Sequence, residues 1–116
     1  MSSNKASIDE LMELVIYFRD QRDWQQFHNS KDLALSLSLE SSELLENFQW
    51  KTSEEAESEK KDEIQDELAD VVIYALMLAH ELDIDLSDAV TSKLKKNNEK
   101  YPVAKSKGNN RKYKEF

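Results

Sequence analysis

The sequence predicts an all-α protein, and three observations carry that prediction. One glycine and one proline in 116 residues leave too little turn material for a chain of many strands. Apolar residues recur at three- and four-residue spacings over long stretches instead of alternating. The length suits one domain, with a core that forms only if a few long helices pack efficiently. The expected architecture is an antiparallel bundle of about four helices. Residues 1–116 form a single domain in this reading, with 101–116 as a C-terminal tail.

Ser7 reads as an N-cap, and Glu10 three residues later completes a capping box. The first helix then runs from about Ile8 to Arg22, with Leu11, Leu14, Val15 and Phe18 on one stripe. "DWQQFHNSKD" is a connection, and the second helix covers about Lys31 to Phe48 on Leu33, Leu37, Leu44 and Leu45. "KTSEEAESEKKDE" is polar throughout and reads as a loop running into the solvated start of a third helix. That helix spans roughly Glu55 to Leu82, with a core face of Leu68, Val71, Val72, Ala75, Leu76 and Ala79. Its second half is apolar nearly all round, so it demands cover on more than one side, and a homo-oligomer is expected. "DID" turns the chain into a fourth helix, Leu86 to Lys100. Pro102 stops it, and the remainder reads as irregular.

Charge narrows the function classes. The net charge is −8, yet residues 101–116 carry Lys105, Lys107, Arg111, Lys112 and Lys114 against Glu115, a balance of +4 that leaves −12 for the first hundred residues. An acidic body repels nucleic-acid backbones, which argues against nucleic acid as a partner. A short basic tail on such a body suits a small polyanion held beside a cation. With no cysteine, disulfides and thiolate metal sites are excluded. The N-terminal "MSSNKASIDEL" shows no basic-then-apolar pattern, and no apolar stretch approaches membrane-spanning length, so a soluble, cytoplasmic protein with no membrane partner is expected.

The second helix carries "LESSELLENFQWK", with Glu40 and Glu43 three residues apart among leucines. The third carries "DEIQDELADVVIY", with Glu67 and Asp70 at the same spacing and Glu63 one turn earlier. Residues i and i+3 project side by side on a helix, so two such pairs on neighbouring helices converge four carboxylates. Most pairs of this kind are solvated surface. These two sit inside apolar segments, where unpaired carboxylates are costly unless a cation lies among them. Oxygen-only donors favour a hard ion, Mg²⁺ or Mn²⁺. A di-iron carboxylate bundle needs Glu-x-x-His motifs, and His28 and His80 follow Gln25 and Met77 at that spacing, so it fails.

The paired Glu-x-x-Glu and Glu-x-x-Asp motifs resemble the MazG-type all-α nucleoside triphosphate pyrophosphohydrolases. "RDWQQFH", "NFQWK", "ELADVVIYAL", "SKLKKNNEKYPV" and "KGNNRKY" resemble the dCTP pyrophosphatase branch, over nearly the whole chain. The resemblance implies Mg²⁺-dependent hydrolysis of a nucleoside triphosphate between its α and β phosphates. It also implies a homo-oligomer, commonly a tetramer. Carried onto this chain, Glu40, Glu43, Glu67 and Asp70 are the catalytic metal-binding quartet, with Glu63 a candidate base. Trp24, His28 and Trp50 fall near the nucleotide, and Phe27 is as readily a staple for the connection. Tyr74, one turn after Asp70, lines the site or packs the core. Lys93 and Asn97 match a phosphate-side pattern, and Tyr101, Lys105, Lys107, Lys112 and Tyr113 belong to a closing segment over the phosphates. His80 is expected to be structural. The substrates implied are dCTP and modified deoxycytidine triphosphates, with dUTP as an alternative. Phosphoribosyl-ATP pyrophosphatases share the fold, but paired tryptophans favour a base-stacking pocket. The rival from another class is a catalytically silent helical oligomerisation module, which leaves the two carboxylate pairs unexplained.

Overall fold

The computed structural model describes residues 5–116. Among them lie six α-helices and no strand, so the all-α expectation holds, with more helices than the sequence pattern separates. The chain divides into two compact units, one ending at Ile84 and the other covering Asp85–Phe116.

In the first unit, α1 (Ile8–Gln21) opens on the anticipated capping box, Ser7 Oγ accepting from the Glu10 N–H at 3.1 Å and Glu10 Oε1 from the Ser7 N–H at 2.8 Å. A single 3₁₀ turn, Gln25–Phe27, leads to α2 (Ser30–Glu46), whose Asn29 cap accepts the Asp32 N–H at 2.9 Å. The expected third helix is two. Thr52 and Glu55 form a second capping box, so α3 (Ser53–Glu59) begins inside the stretch read as a loop. The chain bends at Lys60 (φ −123°, ψ 22°), and α4 (Lys61–Glu81) follows. No glycine or proline marks this bend. It is held by fully buried Ala56, the one apolar residue of α3, and by the Lys51–Glu59 ion pair at 2.7 Å.

α4 is the central helix: α2 packs most extensively along it, and α1 and α3 make smaller contacts. The buried core is Leu33 on α2, Ala56 on α3, and Leu76, Met77 and Ala79 on α4. Leu68 and Val72, expected on the core face of α4, are exposed, as are Leu35, Leu39 and Leu45 on α2. The helices of this unit are too few to cover the whole circumference of α4 or the outer face of α2, so these side chains stay in solvent. Asp23 and Asp83, just past the ends of α1 and α4, take the left-handed conformation (φ 53° and 55°) that a glycine usually fills in chains with more of them.

In the second unit, α5 (Leu86–Lys100) is capped by Asp85, which accepts the Asp88 N–H at 3.1 Å, and ends before Pro102 as expected. The tail is more ordered than its composition suggests. It holds α6 (Val103–Ser106), a left-handed turn at Gly108 (φ 81°) and a 3₁₀ turn at Tyr113–Glu115. Tyr101 gathers it, with edge-on contacts to Tyr113 at 5.9 Å and Phe116 at 5.8 Å between ring centroids. Aromatic pairing, which periodicity does not reveal, orders the segment.

Candidate functional site

α2 and α4 lie side by side, and three of the four carboxylates singled out in the sequence meet between them. Glu40, Glu67 and Asp70 each offer an oxygen, and these oxygens lie within 4.8 Å of one another. All three residues are half-buried. Glu40 Oε2 and Glu67 Oε2 are out of contact with solvent and have no hydrogen-bond partner. Burial pushes the Glu40 carboxyl up to about 7, helped by Glu43, Glu67 and Asp70 around it. Burial also raises Glu67, with the Glu43 and Asp70 charges adding to it. Like charges this close do not all ionise readily in the absence of a cation, and the raised carboxyls of Glu40 and Glu67 titrate as a coupled pair. Two orphaned buried oxygens in a cluster without nitrogen or sulfur donors fit a hard divalent cation.

Glu43, the fourth member of the expected quartet, is exposed and stands outside this trio, although its charge reaches both glutamates. One helical turn separates it from Glu40, enough to move it from between the helices to their rim.

An apolar cavity of about 310 Å³ adjoins the trio, its lining including Phe18, Trp24, His28, Asp70, Tyr74 and Met77. Asp70 therefore belongs both to the cluster and to the cavity wall. Trp24 stands edge-on to Phe18, centroids 5.8 Å apart, with the Arg22 guanidinium 3.8 Å over the Phe18 ring. The left-handed turn at Asp23 sets the indole in place, and the Trp24 N–H bonds the Arg19 carbonyl at 3.2 Å. His28 Nδ1 is buried without a partner, a polar atom that matters in a cavity otherwise greasy. Burial raises the Tyr74 hydroxyl pKa, and the Glu40, Asp70 and Glu43 charges raise it further.

A more polar cavity of about 520 Å³ also adjoins the cluster through Glu67, and Glu43, Glu46, Asn47, Lys60 and Glu63 complete its lining. Lys60 was not among the residues the sequence pointed to. Its place in the cavity wall follows from the bend between α3 and α4, which no local sequence signal marks. Glu63 faces this outer cavity, not the trio.

Trp50 is not among the residues lining the apolar cavity. It is 92% exposed and left-handed (φ 65°), a strained conformation for a bulky side chain. Phe27 is exposed beside the 3₁₀ turn, and His80 is exposed in the last turn of α4, where a cation suits the helix dipole. Lys93 and Asn97 stand one turn apart on α5, Asn97 half-buried. Tyr101 anchors the tail, Lys105 lies on α6, and Lys107, Lys112 and Tyr113 follow in the ordered tail.

Helices that bring three half-buried carboxylates together beside an aromatic cavity define an all-α protein whose acidic cluster has the donors to bind a metal. More particularly, the chain belongs to the MazG-like family, whose profile matches residues 35–116. It is 38% identical to dCTP pyrophosphatase 1 of Rattus norvegicus, over 96% of this chain and 68% of that one. Against dCTP pyrophosphatase 1 of Homo sapiens the identity is 37%, over 98% and 70% respectively. A pyrophosphatase from Archaeoglobus fulgidus has the same fold, with a TM-score of 0.77 and 40% identity, covering 88% of this chain and 98% of that one. No helix among the described residues is long and apolar enough to cross a membrane.

Proposed function

We propose that this chain is a metal-dependent pyrophosphohydrolase that converts a nucleoside triphosphate to its monophosphate and pyrophosphate, with dCTP and modified deoxycytidine triphosphates as its preferred substrates. The observation that carries the proposal is the junction of the carboxylate trio with the aromatic cavity through Asp70. A nucleoside triphosphate is an aromatic ring tied to a polyanion, and the two halves of this junction match its two halves. Membership of the MazG-like family and the similarity to proteins named dCTP pyrophosphatase support the reaction and the base.

Glu40, Glu67 and Asp70, with Glu43 at the rim, hold Mg²⁺, for which Mn²⁺ can substitute. When bound, the ion offsets phosphate charge and lowers the pKa of an attacking water. The water oxygen adds to the α-phosphorus as its proton is released to solvent, the bond from that phosphorus to the bridging oxygen breaks, and pyrophosphate leaves with the electron pair. Trp24 gives the base a stacking surface, His28 Nδ1 offers its polar edge a hydrogen bond, and Tyr74 closes the wall toward the phosphates. Trp50, Lys93, Asn97, Tyr101, Lys105 and Lys112 are assigned to the substrate as further base and phosphate contacts, a role that the basic balance of the tail favours. The whole of residues 1–116 then acts as one nucleotide-handling domain, working in the cytoplasm to clear unwanted nucleotides. Exposed Leu35 and Leu39 on α2, and Leu68 and Val72 on α4, each four residues apart, support a homo-oligomer, with a tetramer favoured.

The test is product analysis with Mg²⁺ and each deoxynucleoside triphosphate in turn. Monophosphate and pyrophosphate, formed fastest from dCTP, is the expected outcome, and a faster reaction with dUTP would reassign the base. Diphosphate with orthophosphate would reject the mechanism. No turnover of any nucleotide would leave a silent helical oligomer as the better reading.

A further inference from the structure

Each of the two cavities takes one member of the carboxylate trio into its wall: Asp70 lines the apolar one and Glu67 the polar one. The first unit therefore joins an aromatic slot and a polar chamber with a lysine to the same carboxylate cluster. Lys60 is the one cationic side chain lining that chamber, and Glu43, Glu46, Glu63 and Glu67 line it too. A half-buried lysine among four glutamates is expected to pair with one of them. Lys60 forms no ion pair with any described residue, and the chamber stays open between the charges.

Lys60 ends α3 and precedes α4, so the dipoles of the two helices act on its charge in opposite senses, and its side chain caps neither helix. The bend at Lys60, pinned by the Thr52–Glu55 capping box and buried Ala56, turns this side chain toward the chamber.

Resting on the pyrophosphohydrolase reading, we propose that Lys60 binds the β- and γ-phosphates of the substrate, and hence the pyrophosphate that leaves. With the base in the apolar cavity and the α-phosphate at the trio, the outer phosphates extend into the polar chamber. Glu67 and its neighbours would hold a metal ion that offsets the glutamate charge, and the Lys60 ammonium takes the far phosphate oxygens. As the bridging bond breaks, charge accumulates on the oxygen of the departing pyrophosphate, and a positioned ammonium stabilises it.

The test compares the full-length protein with Lys60→Gln and Lys60→Arg. Calorimetric titration with inorganic pyrophosphate in excess Mg²⁺ is run beside titration with dCMP, and steady-state turnover of dCTP is measured in parallel. Lys60→Gln is expected to weaken pyrophosphate binding by about tenfold or more, the size of a lost charged hydrogen bond, with dCMP affinity unchanged. Lys60→Arg is expected to restore most of the loss. Equal pyrophosphate affinity in wild type and Lys60→Gln would overturn the proposal, as would parallel losses for pyrophosphate and dCMP, which mark a structural lysine. Absent dCTP turnover by the wild-type protein would reject the enzymatic reading separately, while the pyrophosphate comparison still decides the role of Lys60.

Discussion

Glu40, Glu67 and Asp70 occupy the inner side of the α2–α4 pair, while Glu43, Glu46 and Glu63 occupy its rim about one turn away. Both groups are acidic residues on the same two helices. The inner group is half-buried, has two oxygens without partners and holds a proton near neutrality. The outer group is exposed to solvent, which screens its charges and satisfies its oxygens. The contrast shows that in this protein the angle around the helix axis decides which carboxylates are buried together, since residue type and local sequence are nearly the same.

The sharpest way to break that comparison is to neutralise one member of each group. Glu67→Gln or Asp70→Asn should lower dCTP turnover by at least about a hundredfold, beyond what loss of a residue supporting a metal ligand costs, with helicity by circular dichroism unchanged. Glu46→Gln, on the rim, should stay within about twofold of wild type. Retained activity in both inner variants would dissolve the distinction between the groups.

Next in size is the response to metal. Mg²⁺ at about a hundred times its dissociation constant stabilises a one-site protein by about 2.7 kcal/mol, which should raise the melting temperature by several degrees. Glu46→Gln should keep this shift and Glu67→Gln should lose it. An equal shift in both variants would place the ion elsewhere.

The pH dependence of the metal-free protein is a smaller effect. Glu40 titrates at about 7 in the fold against its ordinary 4.5, so the folded state holds the proton more tightly than the unfolded chain. Its contribution is fully present below about pH 4.5 and is lost as pH rises through 7. Melting temperature without metal should therefore fall between pH 5 and pH 8, and saturating Mg²⁺ should flatten or reverse the slope. A rising metal-free profile over that window would contradict the inner cluster as described. Smallest, Glu40→Gln should raise the metal-free melting temperature at pH 8 by about 2–5 °C, because it removes a like charge from a confined site. Glu46→Gln should leave it unchanged.

The same angular logic governs what could be read from the chain. The helical class, the Ser7–Glu10 cap, the extents of α1 and α5, and the one-turn spacing within each carboxylate pair all follow from local rules. Sparse glycine and proline, short-range hydrogen bonds and 3.6-residue periodicity act within a few residues, so the sequence by itself determines them. The bend at Lys60, the exclusion of Glu43 from the trio and the separation of Trp50 from the Trp24 cavity carry no such signal. They depend on which face of α2 meets α4, and on Ala56 and Tyr101 finding partners in space. Burial is a property of the packed helices together, and burial alone made three carboxylates different from their neighbours.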